Sequence, residues 1–192
     1  MIKDFIFEIY KDKRTVFNLQ EIALIVREPD FARLKQRIHY YLKSGKLLNI
    51  RRGIYAKDNY SAEELACKIY TPGYISLDYV LRKSGMIFQY DEGITIVSYL
   101  SRSISIDGYE LKYRKIKNDI LYNAAGITVN DNGISIASPE RAFLDILYLD
   151  KEFHFDSTHN LNLQIVLSLL SIYQSDQLSK RVKDLLQNVG YK

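Results

Sequence analysis

The sequence predicts an α+β protein built from two modules, and three observations carry that prediction. Helical periodicity alternates with short extended runs along the whole chain. Positive charge gathers at the front: residues 1–57 hold 13 Lys and Arg against 6 Asp and Glu, whereas residues 58–192 hold 14 against 17. A polar stretch, "KDNYS" at 57–61, divides the two and has few apolar anchors. The modules are therefore read as 1–57 and 58–192. With 192 residues, 47% of them hydrophobic and 26% charged, the chain has a globular composition and enough length for packed cores.

In the first module, "IKDFIFEIYK" places Ile2, Phe5, Ile6 and Ile9 at helical spacing. After the polar "KDKRT", Val16-Phe17 is short and extended. Asn18 with Glu21 three residues on has the form of a capping box, so a helix should run from Leu19 to about Val26. Pro29 disfavours helix at Glu28, and Asp30 then caps a longer helix, "FARLKQRIHYYLKS", which stops at Gly45. Its apolar positions Phe31, Leu34, Ile38, Tyr41 and Leu42 form one stripe. Arg33, Gln36, Tyr40 and Lys43 fall on the opposite face, with Arg37 and His39 on the flanks. Next, "LLNI" and "IYA" read as two strands around Arg51-Arg52-Gly53, where Gly53 can take the positive φ of a tight loop.

Helix, short strand, helix, turn, helix, hairpin is the order of a winged helix-turn-helix. In that fold the third helix enters a DNA major groove and the hairpin reaches phosphate or minor groove. Arg33 and Arg37 can bond guanine or phosphate and Gln36 can pair with adenine, while Tyr40 and Lys43 extend the same face. Arg51 and Arg52 are the candidate hairpin contacts. Most charged helix faces are merely solvated; the net charge of +7 over residues 1–57 and the basic hairpin tip favour a polyanionic partner.

The second module opens with "SAEELACKIY", where Ser61 and Glu64 again have the form of a capping box and "TPG" ends the helix. In "YISLDYVLRKSG" Ser76 is the expected N-cap and Gly85 the stop. Strand-like runs follow: "ITIVSY" from 94, "SISI" from 103 and "YELKYRKI" from 109, with Asp107-Gly108 as a hairpin turn. "GITV" and "GISIAS" flank Asn130-Asp131-Asn132-Gly133, a second hairpin signal. "SPERAFLDILYLDK" reads as a helix with Ser138 at the N-cap and Pro139 at its first position, and the tail from 161 as two more helices. The expectation is a mostly antiparallel sheet with C-terminal helices.

The composition also excludes classes. One cysteine, Cys67, allows no internal disulfide and suits a reducing cytoplasm. Asp4 and Glu8 interrupt the first apolar stretch, so no signal-peptide core is expected there, and no run approaches the roughly 18 apolar residues of a membrane span. Neither a G-x-x-x-x-G-K-[ST] phosphate loop nor a G-x-S-x-G elbow occurs. In "HFDSTH", His154, Asp156 and His159 are zinc-ligand types, but their spacing suits neither a helix face nor a strand face. Asp145 and Asp150 lie five apart on one helix, on different faces. Cys67 sits among apolar neighbours as an expected buried, inert thiol. Sixteen tyrosines are scattered over both modules, and of these only Tyr40 and Tyr55 lie where DNA contact is expected. No enzyme and no cofactor are predicted.

"GKLLNIRRGIY", "PGYISLDYVLRKSG", "ITIVS" and "GISIASPERAFLDILYL", in this order and spacing, resemble the AbiEi antitoxins of type IV abortive-infection toxin–antitoxin systems. The similarity covers about residues 15 to 150. It implies a winged helix that represses the operon's own promoter through double-stranded DNA with inverted repeats. It also implies a C-terminal domain that counteracts a partner nucleotidyltransferase toxin, typically without a stable complex. The sequence leaves two alternatives beside the autorepressor and antitoxin. One is a plain transcription factor whose second module binds a ligand or dimerises; the other is a nucleic-acid-processing enzyme.

Overall fold

The computed structural model describes residues 4–89 and 91–188. Ile2, counted above in the first helical stripe, lies outside them. The described chain forms two compact units. One holds everything up to Tyr70 together with Asn130–Ile134; the other holds Thr71–Val129 and the chain from Ser135 on.

The first unit contains α1 (Phe5–Lys11), β1 (Val16–Asn18), α2 (Leu19–Val26), α3 (Phe31–Lys43), β2 (Leu48–Arg51), β3 (Ile54–Ala56) and α4 (Ala62–Ile69). Local chemistry explains most of the boundaries. Asn18 and Glu21 form the full capping box at α2, each side chain accepting from the other's backbone N–H. The three strands pair antiparallel in the order β1-β3-β2. Phe5, Ile9, Phe17, Ile22, Leu34, Ile38 and Leu47 pack together as a hydrophobic core. Burying each such side chain contributes about 1.5–3 kcal/mol.

The second capping box is only half formed. Ser61 Oγ accepts from Glu64 N, but the Glu64 carboxylate turns away and accepts from Thr15 N at 2.6 Å and Val16 N at 3.0 Å. Val16 is the first residue of β1 and Thr15 the one before it, so α4 is clamped to the first unit, which runs on past Lys57 to Tyr70. Residues 58–70 add one Lys and three acidic residues, lowering the formal charge from +7 over 1–57 to +5 over 1–70.

The second unit contains β4 (Gly73–Ile75), α5 (Leu77–Lys83), β5 (Ile94–Ser98), β6 (Arg102–Ile106), β7 (Tyr109–Lys115), α6 (Asn118–Leu121), β8 (Ile127–Val129), β9 (Ser135–Ala137), α7 (Pro139–Leu149), α8 (Leu163–Leu170), a 3-10 turn at Ser171–Tyr173, and α9 (Asp176–Asn188). The strands form one six-stranded sheet in the order β6-β7-β5-β4-β9-β8. Strand pairing across the two sheets is mostly antiparallel, yet this one is mixed, because β5–β7 and β4–β9 are parallel. The apolar content of the strands accounts for the order. β7 buries Leu111 and Tyr113 and takes the place beside fully buried β5. Polar β6, with Arg102, Ser103 and Ser105 exposed, goes to the edge. β4, where the sequence suggested only the lead into a helix, sits in the sheet's interior, and α6 was not anticipated at all. Among the described residues no helix is long and apolar enough to cross a membrane.

Candidate nucleic-acid interface

Helix α3 begins where Asp30 Oδ1 accepts from Ala32 N at 2.8 Å and Arg33 N at 3.2 Å. It ends before Gly45, whose φ of 69° suits a residue without a Cβ. Leu34 and Ile38 point into the core, and the opposite face presents Arg33, Gln36, His39, Tyr40 and Lys43 to solvent, with Lys35 beside them. Tyr40 is 66% exposed and set edge-on to Tyr41. Among the described residues, no ion pair or hydrogen bond engages the side chains of Arg33, Gln36 or Lys43. Phe31 departs from the expected stripe. It is 45% exposed and, with Leu24 at 78%, lines an apolar surface groove between α2 and the turn before α3. At the first residue of α3, the stripe has run past the edge of the core.

Arg37 is held differently from its neighbours. Its guanidinium lies 4.6 Å from the Phe5 ring centre, with Nη1 3.9 Å from Glu28 Oε2. The flanking position read from the helical wheel thus becomes a half-buried one, stacked on the core rather than extended from the face.

The hairpin separates the two arginines that the sequence placed together. Arg51 belongs to β2 and is paired with Ile54 after a bulge at Asn49–Arg51, so the turn proper is Arg52-Gly53. Gly53 has φ 80°, as the turn requires. Arg52 is exposed, and no ion pair engages it among the described residues. The Arg51 guanidinium folds back over Tyr70, 5.3 Å from the ring centre, with Nη1 and Nη2 each 3.4 Å from the hydroxyl. Tyr55, the other tyrosine considered for DNA, packs against the core from β3.

Two other cations of this unit are tied down within it. Arg14 is forked onto Asp12 at 2.8 and 3.0 Å and meets Glu21 at 3.3 Å. Its hydrogen bonds hold the Asp12 carboxyl below its ordinary range. Lys57 is buried, donating to Asp12 O at 2.6 Å, and burial pushes its ammonium pKa down. Among the described residues, exposed Arg33, Lys35 and Lys43 on α3 and Arg52 at the hairpin tip have no carboxylate partner; Lys11, Arg27 and Lys46 share that state elsewhere in the unit.

The second unit holds a polar cluster that sequence reasoning missed. Asp145 and Arg141, one turn apart on α7, are both fully buried. Asp145 accepts from Tyr173 Oη at 2.7 Å, Ser76 Oγ at 2.8 Å, Tyr74 Oη at 3.2 Å and Arg141 Nε at 3.3 Å. Arg141 also donates to the carbonyls of Ile120, Asn123 and Ala125. Burial pushes the Asp145 carboxyl up against the pull of Arg141, and it pushes both tyrosine hydroxyls up as well, which keeps them protonated donors. Ser76 stands at the N-cap position of α5, but its hydroxyl serves Asp145 instead of the helix. Every side chain of the cluster is engaged by protein, which marks it as a brace. The available signal was an i, i+4 Arg–Asp pair inside an otherwise apolar helix.

The other candidates do not assemble. Asp156 Oδ2 accepts from Phe88 N at 2.7 Å. Among the described residues no three His, Cys, Asp or Glu side chains, His154 and His159 included, group as a metal site. Asp150 is exposed at the end of α7, away from buried Asp145. Cys67 is half-buried on α4, not fully buried as expected.

No family model matches the chain, and no curated protein matches it.

Proposed function

We propose that the first unit is a winged helix that binds double-stranded DNA, with α3 in the major groove and Arg52 against the backbone. One observation carries this reading. The outward face of α3 presents Arg33, Gln36 and Lys43 with no side-chain partner among the described residues, and Tyr40 exposed beside them, while the same unit's Arg14 and Lys57 are neutralised or buried. A cation without a carboxylate partner gives up no ion pair on meeting phosphate, and each phosphate neutralised releases counterions. Arg33 and Gln36 lie in the first half of α3, which approaches base edges in this class of fold.

The chain as a whole is then an autorepressor of its own promoter and an antitoxin against a nucleotidyltransferase toxin, acting by binding and not by catalysis. Four motifs whose order and spacing resemble those of AbiEi proteins support this second half. The inverted repeats that the resemblance implies for the promoter would fit two copies reading symmetric half-sites.

The test is paired. A promoter-reporter assay reads repression, and growth on co-expression with a nucleotidyltransferase encoded beside the gene reads neutralisation. The Arg33→Ala/Gln36→Ala/Lys43→Ala variant should lose repression and keep rescue. If the wild-type chain represses without rescuing, the antitoxin half falls and a plain regulator remains. If it does neither, the DNA reading falls as well.

A further inference from the structure

Resting on the DNA reading above, we infer that Tyr70 is a positioning residue that holds Arg51 away from DNA, so that the hairpin offers one arginine where the sequence places two. Arg51 ends β2 and Arg52 begins the turn, so neighbouring positions carry the two charges. Only Arg52 is exposed; Arg51 is half-buried, its guanidinium over the Tyr70 ring and both terminal nitrogens directed at the hydroxyl. A cation above an aromatic face is held by the ring quadrupole, and a phenol oxygen adds an acceptor.

The ring is itself held in place. Tyr70 follows the last residue of α4, and α4 is fastened to the unit by two independent contacts: Glu64 to the backbone N–H groups of Thr15 and Val16, and Lys68 Nζ to Glu21 Oε1 at 2.6 Å. The residue that restrains Arg51 therefore sits on a clamped helix end. It is also the last residue before the second unit begins at Thr71.

This arrangement predicts a gain on mutation. Freeing Arg51 adds one phosphate contact, so the log–log salt slope of binding steepens by about 0.9. Each such contact changes affinity by about 3.5-fold between about 50 and about 200 mM salt. The experiment uses the full chain, a promoter duplex and a random duplex, with affinity followed by fluorescence anisotropy across that salt range. Tyr70→Ala, and Tyr70→Leu with apolar bulk retained, should bind both duplexes more tightly at low salt and with a slope steeper by about one unit. Arg51→Ala alone should leave the wild-type slope, and Tyr70→Ala/Arg51→Ala should return to it. Damage to the fold would weaken binding and could not produce this pattern.

An unchanged or shallower slope in both Tyr70 variants overturns the inference. So does a slope reduced by about one unit in Arg51→Ala, because Arg51 would then already be on phosphate. A wild-type chain that binds neither duplex removes the DNA reading and this inference with it, a result distinct from wild-type binding that Tyr70 does not influence.

Discussion

Replacing Asp145 by alanine tests whether the buried cluster braces the second unit. The substitution strips an acceptor from four donors: Tyr173 Oη, Ser76 Oγ, Tyr74 Oη and Arg141 Nε. Arg141 keeps its three carbonyl contacts but loses the only carboxylate facing it among the described residues, so its charge is left buried and uncompensated. Breaking a buried pair in this way costs about 3–5 kcal/mol, a large share of the roughly 5–15 kcal/mol that holds a domain together. With a urea dependence of about 1–3 kcal/mol per molar, the unfolding midpoint should fall by roughly 2 M. Urea titration of the full chain, followed by far-UV circular dichroism, measures it. The double variant Asp145→Leu/Arg141→Met removes both charges and should lose clearly less than the sum of the single losses. A loss below about 1 kcal/mol in Asp145→Ala, the scale of an exposed ion pair, would mean that the cluster does not brace the unit. So would a double variant that loses the full sum.

Three further outcomes are expected. Gln36→Ala should cost about 1–3 kcal/mol on the cognate duplex and relax base preference at one position; binding-site selection that returns the wild-type preference would remove Gln36 from the readout. Arg52→Ala should weaken binding similarly on all duplexes and make the log–log salt slope shallower by about one unit, as measured by anisotropy; lost affinity with the slope intact would instead make Arg52 a hairpin residue. The Asp12 carboxyl is held low by its hydrogen bonds to Arg14, so its stabilisation is complete above the ordinary carboxylate pKa of about 3.9. It is lost as pH falls through the depressed native value, and Asp12→Asn should flatten the acid limb of a stability–pH curve measured by denaturant titration.

The elements that were legible in the sequence are those whose causes lie within about four residues. Asn18 and Glu21 cap α2, Asp30 caps α3, Asp107-Gly108 turns β6 into β7, and Ser138-Pro139 starts α7. The exposed face of α3 belongs to the same class, because a 100° step fixes which side chains oppose Leu34 and Ile38. Where the reading failed, a distant group had taken over a local one. Ser61 and Glu64 have the spacing of a capping box, yet Glu64 bonds Thr15, 49 residues earlier. Ser76 has the position of a cap, yet it bonds Asp145, 69 residues later.

The same division separates what the sequence determined from what the tertiary structure decided. Composition and periodicity determined the α+β character, the basic front of the chain and the residues of the α3 face, since each depends on neighbours or on simple counting. Folding decided that the first unit reaches Tyr70, that β7 and not β6 lies beside β5, that Asp145 is a brace, and that Arg51 turns inward while Arg52 stays out. Each of these is a competition for a partner far along the chain, won by burial of apolar strands or by satisfaction of a buried charge. Spacing along a sequence holds no record of which distant group will arrive.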